Sequence, residues 1–213
     1  MTPSFRHRGH TRASGIALPV VLMFLLVITI AAVFGIRRST LGEGITRNQL
    51  DYEIARQSAE AALRDAERDL FSSYSAMPAN AVCDRTGARP LKDKLVPGLW
   101  EATCPKGQCR VSPDYLAASN YATAANAQAW WPAAKGGLWG DNSGALNCST
   151  FAGGVPIGTY TGTPHIGGVA RQPEYLIEWI DRESDAVMRI TARGFGTDIN
   201  TEVVLQSYVR PPN

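Results

Sequence analysis

Histidine is scarce in this sequence of 213 residues, and its scarcity excludes the common catalytic and metal-binding arrangements. His7 and His10 lie within the first ten residues, which leaves only His165 in the rest of the chain. One histidine cannot build a multi-histidine metal site, and the loop-like surroundings of His165 do not favour a catalytic triad. The G-x-S-x-G, H-E-x-x-H and glycine-rich phosphate-binding motifs are also missing. We therefore predict no enzyme activity, no metal site and no cofactor.

Neither sign of charge is in clear excess. The sequence has 21 Lys+Arg against 19 Asp+Glu, a formal net charge of +2. Nucleic acid is therefore not an expected partner, because binding phosphates requires a basic surplus. The charges are unevenly distributed, however. Residues 1–15 contain three arginines and no acid, and residues 16–36 contain no charged residue.

The uncharged segment 16–36 is long and apolar. As a helix it would measure about 30 Å, the thickness of the hydrocarbon core of a bilayer. Three interpretations compete: a cleaved secretory signal peptide, a plain single-pass anchor and a retained export helix. The small residues Ala31-Ala32 come after a longer apolar run than a signal peptide has, and a helical pattern continues beyond them. The leader arginines favour a cytoplasmic amino end.

The next segment, residues 39–77, has the pattern of an amphipathic helix. Its apolar residues recur at helical spacing and form one stripe, which consists of Leu41, Ile45, Tyr52, Ala55, Ala59, Ala62, Leu63, Ala66 and Leu70. Met77-Pro78 marks the predicted end, because the residue before a proline avoids the helical conformation. Gly42 and Gly44 are an expected weak point.

The opposite face of this helix carries charges at a spacing of four residues. The predicted pairs are Arg47 with Asp51, Arg56 with Glu60 and Glu60 with Arg64. Each exposed pair contributes only a few tenths of a kcal/mol, so the pairs indicate a solvated face and not a site.

The carboxyl-terminal third has the composition of β-strands. Residues 174–181, 186–195 and 202–209 are rich in Val, Ile, Tyr and Trp and are separated by short polar breaks. Met188, Ile190 and Ala192 alternate with polar residues, which predicts one buried face. The stripe from Tyr52 to Leu70 is the expected cover. The sequence thus predicts an α+β fold, with a long amino-terminal helix packed on a carboxyl-terminal antiparallel sheet.

Residues 132–173 are rich in glycine and proline and are expected to form a surface loop region. Trp130, Trp131 and Trp139 lie at its start. Aromatic residues in loops serve either as core anchors or as a surface for a partner, and packing in the core is the favoured interpretation here.

The four cysteines all follow the apolar segment. In an oxidising compartment an even number of cysteines indicates disulfides, and four cysteines allow three connectivities. The favoured pairing is Cys104–Cys109, whose Pro-Lys-Gly-Gln spacer suits a turn, with Cys83–Cys148 as the remaining pair.

A short basic leader ending in glycine, followed by an apolar helix that continues into an amphipathic half, resembles the type IV pilin superfamily. Two segments are similar to the amino-terminal region of PilX-type minor pilins: Arg-Ser-Thr-Leu-Gly-Glu (38–43) and Gln-Ser-Ala-Glu-Ala-Ala-Leu-Arg-Asp-Ala-Glu (57–67). The carboxyl end, residues 189–196 and 202–210, also resembles that family. The resemblance covers about 16–77 and 173–213, and it is nearly absent between them.

The resemblance implies processing at the class III prepilin-like leader. Prepilin peptidase would cleave after Gly15, and the new amine of Ile16 would be methylated. Cleavage suits Pro19, because a proline clashes with the carbonyl four residues earlier unless it lies in the first turn of the helix. In the uncut precursor Pro19 would kink or break the helix. Pilins usually have Glu fifth in the mature chain; here the position is Val20, as in PilX-like minor pilins and the tip pseudopilin of type II secretion.

The resemblance also implies a domain plan, a location and partners. The parts are a cytoplasmic leader (1–15, removed), the transmembrane half (16–36) and amphipathic half (37–77) of the helix, and a periplasmic head (78–213) with a loop-rich region (78–172) before the strands (173–213). The protein would reside in the inner membrane and then at the pilus tip on the cell surface. Its partners would be other minor pilins, the major pilin, a large tip adhesin and prepilin peptidase.

The function implied is structural: to prime assembly of type IV pili, which serve twitching motility and adhesion. The alternative within the superfamily is a minor pseudopilin of a type II secretion system. A separate adhesin or ligand-binding module, using the glycine-rich loops and aromatic residues, is a third possibility.

Overall fold

The structure is a computed structural model. It describes residues 17–72, 76–93, 97–110, 128–132, 134, 136–139, 146–181 and 186–210. These residues form a helix, α1 (Ala17–Phe71), and five strands: β1 (Gln108–Arg110), β2 (Val155–Pro156), β3 (Glu174–Asp181), β4 (Ala186–Phe195) and β5 (Glu202–Val209). The chain falls into two compact units, residues 1–48 and 49–213. The α+β prediction is confirmed.

The helix α1 continues through Gly42 and Gly44 but ends at Phe71, before the predicted end at Met77. The cause is local. The N–H and the hydroxyl of Ser72 both donate to the carbonyl of Asp69, at 3.3 and 2.9 Å, which closes the last turn.

In the second unit, α1 packs on the sheet through small side chains. Ala55, Ala59, Ala62, Ala66 and Leu70 are fully buried, as the apolar stripe predicted. Tyr52 was expected to belong to this cover, but its side chain is 56% exposed. In the first unit, Ile45 on the same predicted stripe is exposed as well. The part of the stripe that the sheet covers therefore begins at Ala55.

The three long strands have the predicted bounds and pair in antiparallel fashion in the order β3-β4-β5. The short strand β2 also pairs with β3 in antiparallel fashion, whereas β1 pairs with β3 in parallel. The sheet is thus mixed, where a purely antiparallel sheet was predicted. A connection of more than sixty residues separates β1 from β3, which is long enough for a parallel crossover.

Both faces of the central strands are buried. Tyr175, Ile177, Met188 and Ile190 form the main core against the helix. The other face, predicted to be solvated, is also covered, and its Arg189, Thr191 and Arg193 are buried. Alternation along one strand cannot reveal a second cover that comes from a distant loop.

That second cover comes from the glycine-rich region. Trp139 is buried and packs with Leu176 and the Cys104–Cys109 pair, which confirms its role in the core. Within residues 151–160, Phe151, Val155 and Tyr160 are buried as well, but in the main core with Ala62 and Ala66 of the helix. The prediction of a surface loop region was therefore wrong for this part of residues 132–173, since a chain without regular structure still supplies apolar side chains to the core.

Candidate functional site

The first candidate site is the exposed apolar part of α1 in the first unit. Every large apolar side chain from Leu18 to Ile36 is 45–71% exposed. The mean hydropathy of the most apolar window of the helix is 2.9, and its length and composition suffice for a membrane span. Such a surface is unstable in water, so it requires lipid or other apolar helices as neighbours.

Pro19 and Val20 lie in the first described turn of α1, which begins at Ala17. In a chain that begins at Ile16, Pro19 would lie in the first turn, where the N–H that proline lacks would have no partner within the helix. The first turn contains no acidic residue. Gly15 and Ile16, the predicted cleavage site, lie outside the described residues.

In the second unit, polar side chains of α1 form hydrogen bonds to the sheet and its loops. Asp51 accepts hydrogen bonds from the N–H and the hydroxyl of Thr197, and bonds from threonines there lower the pKa of Asp51. The hydroxyl of Ser58 donates to the carbonyl of Phe195 at 3.0 Å. Asp65 accepts from the N–H of Gly158 at 2.8 Å. These hydrogen bonds of Asp51, Ser58 and Asp65 hold successive turns of the helix against the sheet and its loops.

One predicted pair on the helix is wrong. Arg47 pairs with Glu43, and Asp51 is occupied by Thr197 instead. The other two predicted pairs, Arg56–Glu60 and Glu60–Arg64, are present with N–O distances of 3.3 Å each.

A buried ionic cluster lies at the end of α1. Asp69 accepts two hydrogen bonds from Arg85, at 2.8 and 2.6 Å, and a third from the hydroxyl of Tyr175 at 2.8 Å. The Arg85 guanidinium also lies 3.8 Å from the ring centroid of Tyr160. Burial alone would lower the pKa of Arg85, but the attraction of the Asp69 carboxylate outweighs this effect. The pKa of Arg85 is therefore raised. Burial raises the pKa of Tyr160 to about 12.

A second set of buried ion pairs lies on the opposite face of the sheet. Arg189 donates to both carboxylate oxygens of Glu178, at 2.7 and 2.9 Å. Arg193 pairs with Glu174 and lies 4.9 Å from the ring centroid of Trp139. Burying single charges would be costly, so these pairs and the aromatic rings over them allow charged residues beneath the loop.

Two disulfides join the loops of the second unit. They are Cys83–Cys148 and Cys104–Cys109, the pairing that the sequence favoured. The described residues contain no free cysteine. The Cys104–Cys109 turn places β1 beside β3, where the N–H of Ile177 donates to the carbonyl of Gly107 at 2.9 Å.

Among the described residues, the buried side-chain polar atoms without a hydrogen-bond partner are Arg85 Nη1, Trp100 Nε1, Gln108 Oε1 and the Tyr160 hydroxyl. No cluster of three or more His, Cys, Asp or Glu side chains that could bind a metal occurs in this part of the chain. His165 is exposed in its loop.

The sequence patterns did not predict the buried acids Asp65, Asp69, Glu174 and Glu178. A signal was available for the first two, since Asp65 and Asp69 are four residues apart and border the predicted apolar stripe. An acid beside a buried stripe requires a buried donor, but only the folded chain reveals that Arg85 and Gly158 provide it.

Two family descriptions match this chain. The PilX N-terminal family matches residues 14–64, and the family of the C-terminal part of the type IV pilus assembly protein PilX matches residues 105–211. The second match includes much of the middle region, where the sequence had shown nearly no resemblance. No curated protein and no solved structure matches the chain. Since these matches cover more than half of its length, the chain belongs to the PilX family of type IV pilus minor pilins.

Proposed function

We propose that this minor pilin primes pilus assembly and occupies the tip of the filament. The observation that carries the proposal is Val20, an uncharged residue in the first described turn of an exposed apolar helix. Pilins usually have a glutamate at this position. In the family, that carboxylate pairs with the amino-terminal charge of the subunit above.

The missing carboxylate determines which neighbours the subunit can satisfy. Both charges of such a pair lie in an apolar environment, and leaving either one unpaired costs several kcal/mol. A subunit with Val20 offers no acid to a subunit above it, but its own amine still accepts an acid from below. At the top of the filament a subunit has a neighbour below, whose acid its amine can pair with, but no neighbour above that needs an acid from it. A subunit with Val20 therefore fits the top position.

Processing and location follow from the same family assignment. We propose that prepilin peptidase removes residues 1–15, that the Ile16 amine is methylated, and that residues 16–36 span the inner membrane. The amphipathic half of the helix, predicted as 37–77, and the head at 78–213 then lie in the periplasm until assembly carries them to the cell surface. Other minor pilins, the major pilin and a large tip adhesin are the proposed partners. The proposed role is structural and not enzymatic.

The tip position is tested by immunogold labelling of an epitope placed in the exposed loop around His165. We expect gold particles at filament ends or at membrane foci. Label spaced regularly along the shaft would contradict the tip position. Deletion of the protein should greatly reduce the number of pili, whereas Val20→Ala should leave piliation nearly unchanged.

Secretion distinguishes the pilus role from that of a minor pseudopilin. In the deletion strain we expect loss of twitching with normal export of secreted enzymes. Normal twitching with lost export would instead assign the protein to a type II secretion system.

A further inference from the structure

The two disulfides of the second unit differ in how well the fold covers their sulfurs. Cys104 and Cys109 are both buried, and the side chain of Trp139 packs against them. In the other disulfide, Cys83 is buried in the main core, whereas Cys148 is only partly buried at its margin. Of the four half-cystines, Cys148 is therefore the one that a reagent can reach while the protein is folded.

The surroundings of Cys148 are open as well. It lies in a turn formed by residues 147–150, and the other three residues of this turn are exposed. The turn is stabilised from within. Asn147 Oδ1 accepts hydrogen bonds from the N–H and the hydroxyl of Ser149, at 3.1 and 2.8 Å, and the N–H of Thr150 donates to the carbonyl of Asn147 at 3.2 Å. Cys148 is thus presented at the surface by a turn that does not depend on covering side chains.

The other half of the bond is fixed inside the fold. The N–H groups of Val82 and Cys83 both donate to the carbonyl of Thr159, at 2.9 and 2.8 Å. Thiol–disulfide exchange begins when a thiolate attacks one sulfur of a disulfide, and its rate depends on access to that sulfur. In Cys83–Cys148 the attack can only be directed at Cys148, and Cys83 is then the leaving group.

We propose that Cys148 is a thiol–disulfide exchange site, at which a dithiol opens the Cys83–Cys148 bond in the folded protein. One thiolate of the dithiol attacks Sγ of Cys148 and forms a mixed disulfide, while the bond to Cys83 breaks. Cys83 leaves as a thiolate and takes up a proton from water. The second thiol of the dithiol loses its proton and attacks the mixed disulfide, which releases Cys148 as a thiolate that is then protonated. The protein disulfide gains two electrons, and the dithiol is oxidised to a disulfide.

The contacts around the turn confine the effect of this exchange. The N–H of Lys106 donates to the carbonyl of Phe151 at 2.8 Å, so the chain directly after the turn stays tied to the loop between the two buried half-cystines. The hydrogen bonds to the carbonyl of Thr159 likewise keep Cys83 in place. Opening the bond therefore releases the turn of residues 147–150. Attack of Cys83 on the mixed disulfide closes the bond again.

The first test uses the full chain in detergent micelles with dithiothreitol as the dithiol. Samples are quenched with acid at intervals, unfolded and alkylated, and the free thiols are identified by peptide mass spectrometry. We expect Cys83–Cys148 to open at least about tenfold faster than Cys104–Cys109. A thioredoxin whose second active-site cysteine is replaced by serine should be trapped as a mixed disulfide with Cys148.

The second test compares Cys83→Ser with Cys148→Ser. Each variant loses the same bond and keeps one thiol, so the pair differs in which sulfur remains. Circular dichroism verifies that both fold. In the folded state, we expect the Cys148 thiol of the first variant to react with an aromatic disulfide reagent at least about tenfold faster than the Cys83 thiol of the second. In denaturant the two thiols should react at similar rates.

Four results would overturn the proposal. They are reduction of Cys104–Cys109 as fast as that of Cys83–Cys148, no reduction of either bond while the protein is folded, trapping of thioredoxin on Cys83, and equal reactivity of the two folded variants. If one variant does not fold, reduction and trapping in the parent chain decide the question. None of these results depends on the position of the subunit in the filament.

Discussion

Two tyrosines surround the ion pair of Asp69 and Arg85, and only one of them has a hydrogen-bond partner. The hydroxyl of Tyr175 donates to Asp69, whereas that of Tyr160 is buried without a partner among the described residues. Breaking the ion pair would leave a buried charge, which typically costs 3–5 kcal/mol. The hydroxyl of Tyr160, by contrast, is dispensable. Removing an unsatisfied buried hydroxyl is close to neutral for stability.

This difference predicts the pH dependence of Tyr160→Phe. Burial raises the pKa of Tyr160 to about 12, from 10.0 in the unfolded chain. The folded state therefore holds the proton more tightly, and stability that is present below pH 10 is lost as the pH rises towards 12. The loss from this one group is about 2–3 kcal/mol over that window. Tyr160→Phe should match the parent at pH 7 and lose less of its free energy of unfolding above pH 10.

Denaturant unfolding at pH 7, 10 and 11 measures the effect. Tyr52→Phe, at an exposed position, is the matched control and should follow the parent throughout. The assignment is wrong if Tyr160→Phe loses as much stability as Tyr52→Phe between pH 10 and 11.

At the scale of elements, the contact of α1 with β4 depends on the absence of a side chain at Gly194. A Cβ there would lie 2.2 Å from the backbone N of Ala59 and 2.4 Å from the carbonyl oxygen of Ala55. These are backbone atoms, so the helix itself would have to move. Gly194→Ala should lower the free energy of unfolding by about 2–3 kcal/mol. Gly167→Ala, where a Cβ meets nothing within 4 Å, is the control and should be nearly neutral.

Thermal and denaturant unfolding of the two glycine variants measure this difference. Equal stabilities would mean that the helix and the sheet are not in close contact at Gly194.

The two disulfides should differ in what they contribute, because they close loops of different lengths. The half-cystines of Cys83–Cys148 are 65 residues apart, and those of Cys104–Cys109 are 5 apart. The loop-entropy relation gives about 4 kcal/mol for the first pair and about 2 kcal/mol for the second. We expect Cys83→Ala/Cys148→Ala to be the less stable double variant in denaturant unfolding. The reverse order would show that native packing around Cys104–Cys109 outweighs chain entropy.

At the scale of the whole molecule, the proposed cleavage after Gly15 can be tested directly. We expect Gly15→Leu to block cleavage and to leave a precursor about 1.7 kDa heavier, as retention of fifteen leader residues requires. Amino-terminal sequencing of the processed parent protein should begin at Ile16. The control Gly35→Leu, in the exposed apolar part of α1, should still be processed. Any other first residue in the parent would refute cleavage after Gly15.

The elements with the strongest local patterns were predictable from the sequence. The apolar segment 17–36, the buried alanines from Ala55 and the bounds of the three long strands all follow from periodicity and composition. The end of α1 was predicted less well, because a hydrogen bond from Ser72 to Asp69 stops it before Pro78. Local propensity gives the type of an element more reliably than its last residue.

The sequence by itself determined that the chain has an uncharged helix, an amphipathic continuation and a β-rich end, since each depends on neighbouring residues. It also favoured the disulfide pairing, through the short Cys104–Cys109 spacer. The partners of the buried charges and the second cover of the sheet appeared only in the tertiary structure. Asp69 and Arg85 are 16 residues apart, and Arg193 and Trp139 are 54 apart. No periodic pattern links such residues, because folding alone brings them together.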